Sequence, residues 1–199
     1  MRFATDYASP VLAPSRYRVT IRLRALSEML QDGEFNTNPL GVVWKAKNAG
    51  TPPKVVRDCS LSCVVKFTGA AKAKLVQTVI PDPSFVRFKA GDLIRSNTLA
   101  GEAAVGGANI KLTILINYSD GTPPTRVSAV RTVTSTGLGV YVTTGQVFAE
   151  IASKAITNIK FTISSPTVAD TFSVASASLA MLGSTSLRDS ALLPLPPSP

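Results

Sequence analysis

Apolar and polar residues alternate one for one over much of the stretch from Asp32 to about Leu182. The clearest run sets Ile110, Leu112, Ile114, Ile116 and Tyr118 against Lys111, Thr113, Leu115 and Asn117. Successive side chains of a strand point to opposite faces, so a period of two predicts a strand with one buried face. This run ends at the turn Ser119-Asp120-Gly121 and the breaker Pro123-Pro124. A second run sets Cys59, Leu61, Cys63, Val65 and Phe67 against Ser60, Ser62, Val64, Lys66 and Thr68. AKLVQTVI, SAVRTVT, GQVFAEIA, NIKFTIS and DTFSVASASLAML read as further strands, with Ile159, Phe161 and Ile163 inward in NIKFTIS. SFVRFKAGDLIRSNTLA reads as two weaker strands split at Ala90-Gly91, and GEAAVGGAN as a glycine-punctuated loop. No long helical pattern interrupts the series. Many short strands separated by turn signals predict an all-β sandwich.

The two ends differ from this middle. RYRVTIRLR places Arg16, Arg18, Arg22 and Arg24 on one face and Tyr17, Val19, Ile21 and Leu23 on the other. That pattern predicts a strand, or a basic arm, with one charged face. ALSEML is short enough for a turn of helix. The tail LLPLPPSP is extended and linker-like, and a linker there points to further domains of a longer chain. The sequence therefore divides into an N-terminal arm (1–30), a β-sandwich domain (31–183) and a proline-rich tail (184–199).

Composition narrows the chemistry. The 199 residues are 45% hydrophobic and 17% charged, a globular balance. No apolar run reaches the roughly 18 residues of a membrane span, and the first residues hold no continuous apolar segment of a leader. The net charge of +9 favours anionic partners in principle, but most basic residues are scattered along the chain. There is no histidine, which removes Ser-His-Asp and Cys-His catalysis and the commonest metal ligand. Most acidic residues, among them Asp82, Asp92, Asp120 and Asp170, sit at turns, and no carboxylate pair of a glycosidase stands out. Gly106-Gly107 is too short for a phosphate cradle. The chain is read as a non-enzyme. Cys59 and Cys63, placed on one strand, would lie about 13 Å apart. A disulfide needs Cα atoms within about 7 Å, so they are expected as free thiols on the core face.

The order of motifs resembles the jelly-roll carbohydrate-binding modules attached to glycoside hydrolases and cell-surface proteins, and related galactose-binding-like domains. Asp32-Gly33-Glu34-Phe35-Asn36 followed by Trp44 is similar to their opening motif. CSLSCVVKFTG, LVQTVI with Gln77, INYSDG and FSVASASL follow in the same order, and the likeness covers roughly 30–182. It implies a jelly-roll β-sandwich of two antiparallel sheets, an extracellular or cell-surface location, and a carbohydrate partner on the concave sheet face. Many such modules hold a structural calcium through a glutamate of the first motif and an aspartate of the last. Those positions are Asn36 and Ala175 here, so the usual ligands are lost and no cofactor is expected. Asp32, Glu34 and Asp170 remain as the acids of an alternative calcium site.

Sugar recognition needs flat rings to stack on and polar groups to bond hydroxyls. Trp44, Tyr118 and Tyr141 are the stacking candidates, each with a plain core reading beside it. Gln77, Lys111, Thr113, Asn117 and Arg131 are the polar candidates, with Gln77 on a strand beside Lys111, Thr113 and Asn117. Two other readings stand behind the sugar module. One is a structural or adhesive sandwich that binds no sugar. The other, the least favoured, is a viral coat-like jelly roll touching nucleic acid through Arg16, Arg18, Arg22 and Arg24.

Overall fold

The computed structural model describes residues 28–182 apart from 48–49, 51–53, 70–71, 83–86, 104, 135–136 and 168–169. The arginine stripe over 16–24 and the tail 184–199 lie outside the described residues. Among the described residues there are ten strands and no helix. They are β1 (Lys45–Lys47), β2 (Val55–Asp58), β3 (Val64–Thr68), β4 (Lys74–Val79), β5 (Leu93–Gly101), β6 (Ala108–Tyr118), β7 (Thr125–Val133), β8 (Tyr141–Glu150), β9 (Ile156–Ser164) and β10 (Thr171–Leu182).

The strands form two five-stranded antiparallel sheets. The front sheet runs β1-β4-β9-β6-β7 and the back sheet β2-β3-β10-β5-β8. The topology is a nested ladder: β6 pairs with β7, β5 with β8, β4 with β9 and β3 with β10. Rolling that ladder sends alternate pairs to opposite sheets, and the β6–β9 and β5–β10 pairings close each sheet. This is the all-β sandwich expected from the strand series, in the jelly-roll arrangement that the resemblance implied.

Alternation explains which face of each strand is buried. Ile110, Leu112, Ile114 and Ile116 of β6 are all 0% exposed. Three of them lie opposite β9 residues that are equally buried: Leu112 against Ile163, Ile114 against Phe161, Ile116 against Ile159. Each such side chain contributes about 1.5–3 kcal/mol by leaving water. On the back sheet Phe67 of β3 lies opposite Phe172 of β10, with their rings stacked at 4.7 Å. The opening loop closes one end of this core. Gly33 is required there, because a Cβ on it would sit 2.3 Å from the Ala177 carbonyl oxygen of β10. The same approach lets the Gly33 carbonyl accept the Ala177 N–H at 2.8 Å.

Several expectations are corrected. Residues 59–68 are not one strand. Val64–Thr68 forms β3, and 59–63 is the loop joining it to β2 in a hairpin that pairs Asp58 with Val64. Cys59 and Cys63 thus stand at the two ends of a turn, with Cα atoms 4.0 Å apart, and are joined in a disulfide rather than free. Strand spacing gave the wrong separation because the chain reverses between them. SFVRFKAGDLIRSNTLA supplies one strand, β5, since 87–89 is irregular and 83–86 lies outside the described residues. Glu28 of ALSEML is not helical; it forms a bridge with Ala180, and its carboxylate accepts the N–H groups of Leu30 and Leu179. The short strands KAK and VVRD carry too little pattern to be read from sequence.

Candidate functional site

The front sheet turns its polar side outward, and register fixes which residues meet there. One cross-strand row joins Lys47, Lys74, Ser164, Lys111 and Val130. The next row joins Lys45, Val76, Thr162, Thr113 and Ser128, and the third joins Thr78, Lys160, Leu115 and Arg126. Asn117 and Asn158 lie opposite each other beyond these rows, the Asn117 side-chain amide donating a 2.8 Å hydrogen bond to the Asn158 amide oxygen. Thr113 and Ser128 share a hydroxyl hydrogen bond of 2.8 Å.

Two clefts open on this face. One, of about 700 Å³, includes Lys45, Lys47, Val76, Thr78 and Lys160 in its lining. The other, of about 560 Å³, is lined by residues that include Lys72, Lys74, Lys111, Thr113, Arg126 and Thr162. They are contiguous, since Lys47, Val76 and Lys160 belong to both. Seven basic side chains line the pair: Lys45, Lys47, Lys72, Lys74, Lys111, Arg126 and Lys160. Among the described residues, no acidic side chain and no aromatic ring lines either cleft.

Of the residues singled out in the sequence, Lys111, Thr113 and Asn117 do come together on this face. The others are placed elsewhere. Gln77 sits two strands from β6, not beside it, because β9 intervenes. It lies opposite the buried Phe161, is only 3% exposed, and borders the first cleft without offering its amide. That amide is spent on Gln31: its oxygen accepts the Gln31 N–H at 2.7 Å and its nitrogen donates to the Gln31 carbonyl at 2.8 Å. Arg131 lies opposite the buried Ile110, on the inner side of β7, and reaches β8 to donate to the Gln146 carbonyl at 3.1 Å.

None of the three candidate rings forms a platform on the face. Trp44 is 2% exposed, tilted against Phe35 and edge-on to Phe161, and donates its indole N–H to the Asp32 carbonyl. The Tyr118 hydroxyl meets Thr125 and accepts the Ala152 N–H, both at 2.9 Å. Burial, and then the Glu102 carboxylate bonded to its hydroxyl, push the Tyr141 phenol up to about 12. Two of the acids considered for calcium are engaged by backbone N–H groups. Asp32 accepts the N–H groups of Thr37 and Asn38, while Asp170 accepts those of Asn109 and Thr167. Among the described residues no three acidic or thiol side chains are grouped to hold a metal ion.

Six of the seven cations on the face were not singled out from sequence. A local signal exists: Lys45 and Lys47 flank Ala46, Lys72 and Lys74 flank Ala73, and Lys160 alternates with the inward Ile159 and Phe161. What gathers them is the pairing of β1 with β4 and β4 with β9, which no local pattern contains.

No protein-family model and no curated protein matches the sequence. Solved structures do match. The xylan-binding CBM22-2 domain of Paenibacillus barcinonensis Xyn10C is 10% identical with a TM-score of 0.53, over 75% of this chain and 98% of that one. The CBM22-1–GH10 modules of Clostridium thermocellum xylanase 10B, complexed with xylohexaose, are 13% identical with a TM-score of 0.50, over 80% of this chain and 29% of that one. An arabinose-bound α-L-arabinofuranosidase is 14% identical with a TM-score of 0.49, over 78% of this chain and 26% of that one. The chain thus spans less than a third of the length of these last two. In its fold, an antiparallel jelly-roll sandwich, the chain is similar to carbohydrate-binding modules.

Proposed function

We propose that the chain is a non-catalytic carbohydrate-binding module that takes a poly- or oligosaccharide on the outer face of the front sheet. The carrying observation is the pair of contiguous clefts on that face, whose lining includes Lys111, Thr113 and Thr162, with Asn117 just beyond. Hydroxyl, amide and ammonium groups at strand spacing bond sugar hydroxyls from a rigid platform, which limits the entropy lost on binding. The lack of acidic side chains among the described residues lining either cleft supports a binding role over hydrolysis, which needs two carboxyl groups about 5–10 Å apart. The Cys59–Cys63 disulfide supports an extracellular or cell-surface setting, because such bonds persist in oxidising compartments.

The test is a binding screen of the full chain against neutral and acidic polysaccharides, repeated with Lys111→Ala and Asn117→Ala. Saturable binding to a defined glycan, weakened at least about tenfold (1.4 kcal/mol) by either change at unchanged Tm, is the expected result. A second reading, a structural or adhesive sandwich, is favoured by the lack of an aromatic ring among the described residues lining the clefts. Binding to none of the glycans would leave that reading in place of the first.

A further inference from the structure

We infer that the glycan is anionic, a chain bearing carboxylate or sulfate groups, held in a lane that runs across the strands of the front sheet. This rests on the binding face proposed above. The lane follows from register. Its floor is the row Val76, Thr162, Thr113 and Ser128, with Lys45 at one end. One edge is the row with Lys47, Lys74 and Lys111; the other is the row with Lys160 and Arg126. The two edges are four residues apart along each strand, about 13 Å, and the lane crosses five strands at about 4.8 Å each. Three of the four floor residues carry hydroxyls, so the floor suits ring hydroxyls and the flanks suit charges projecting to either side of a linear chain.

Charge balance points the same way. Lys47 and Lys74, directly opposite on neighbouring strands, lie inside the Debye length of about 8 Å and repel each other. Elsewhere Lys66 is paired with Asp58 at 2.6 Å, yet no carboxylate among the described residues lines either cleft. A polyanion relieves that repulsion and releases its own counterions, a gain that a neutral glycan lacks. A neutral glycan would also rely on stacking, and no aromatic ring among the described residues lines the lane. The same lack argues against single-stranded nucleic acid, whose bases stack on aromatic side chains.

The experiment titrates the full chain with polygalacturonate, its methyl-esterified form, heparin, desulfated heparin, and single- and double-stranded DNA oligonucleotides. Two charge-matched variants accompany it. One combines Lys74→Gln, Lys111→Gln and Lys160→Gln; the other combines Lys54→Gln, Lys89→Gln and Lys154→Gln, three exposed lysines away from the clefts. The expected result is binding to polygalacturonate or heparin that weakens at least about tenfold between 50 and 300 mM salt. It should weaken at least about tenfold in the first variant and under about twofold in the second, with Tm unchanged in both. Which polyanion binds distinguishes carboxylate from sulfate. Equal binding to the methyl-esterified form would overturn the anionic assignment and leave the carbohydrate reading standing, whereas equal binding to desulfated heparin, which keeps its uronate carboxylates, would assign the carboxylate. Equal loss in both variants would reduce the effect to net charge and overturn the lane. Tighter binding to DNA than to either polyanion, or no binding to any of them, would overturn both.

Discussion

Trp44 and Tyr141 show how a ring that suits a sugar is claimed by the fold instead. Trp44 fills the space between Phe35 and Phe161 and ties its indole to the opening loop. Trp44→Ala should therefore cost about 3–5 kcal/mol in denaturant unfolding, with Trp44→Phe costing less. The glycan affinity of the folded fraction should not change; lost affinity at full stability would instead mark Trp44 as a platform. Tyr141 gives a pH signature. Its phenol is held up to about 12, so the neutral form is favoured in the folded protein. Its contribution is complete below the unfolded value of about 10 and is lost as pH rises through about 12. Ultraviolet titration should show one tyrosine ionising late, and Tyr141→Phe should remove that late step. Both residues are legible in the sequence as large and amphipathic; their partners, Asp32, Phe161 and Glu102, are not.

At the scale of elements, the β2–β3 hairpin is where local pattern misled most. CSLSC alternates like a strand, but Asp58 and Ser60 supply a turn: the Asp58 carboxylate accepts the Ser60 N–H at 2.9 Å. The disulfide then closes a loop whose ends are already paired, and so constrains a short segment of the unfolded chain. For so short a loop the chain-entropy argument gives about 2 kcal/mol. Cys59→Ser with Cys63→Ser should lower stability by about that amount, and reductant should lower the native protein by the same. Thiol labelling of the unreduced native protein should find no free cysteine. β6 is the opposite case: its alternation was read correctly from Ile110 to Tyr118, missing only Ala108 and Asn109 that were read as loop, because both its neighbours, β9 and β7, match it residue for residue over most of its length.

The whole molecule is a set of hairpins nested one inside another. β6 and β7 are joined by a short turn, while β3 meets β10 only after about a hundred residues have been folded between them, as Thr68 against Thr171. Loop closure makes such distant pairings late and slow. Refolding should take milliseconds to seconds or longer in stopped-flow fluorescence. Leu112→Ala in β6 should mainly slow folding, whereas Phe172→Leu in β10 should mainly speed unfolding. The reverse pattern would show that the outer pairs nucleate the fold. The same nesting makes the functional face. Lysines from β1, β4, β6 and β9 and an arginine from β7, far apart in sequence, become neighbours only when those strands share one sheet.

By itself the sequence determined the strand character of most of the chain, the buried faces of β6 and β9, and the placing of Lys111, Thr113 and Asn117 on an outward face. Those are consequences of a period of two, which acts between a residue and its nearest neighbours along the chain. Tertiary structure alone decided the Cys59–Cys63 bond, the inward place of Gln77 and Arg131, and the gathering of seven cations around two clefts. Each of these depends on which strands pair and where the chain reverses. The free energy that selects the pairing comes from burying both sheets against each other, a property of no single segment.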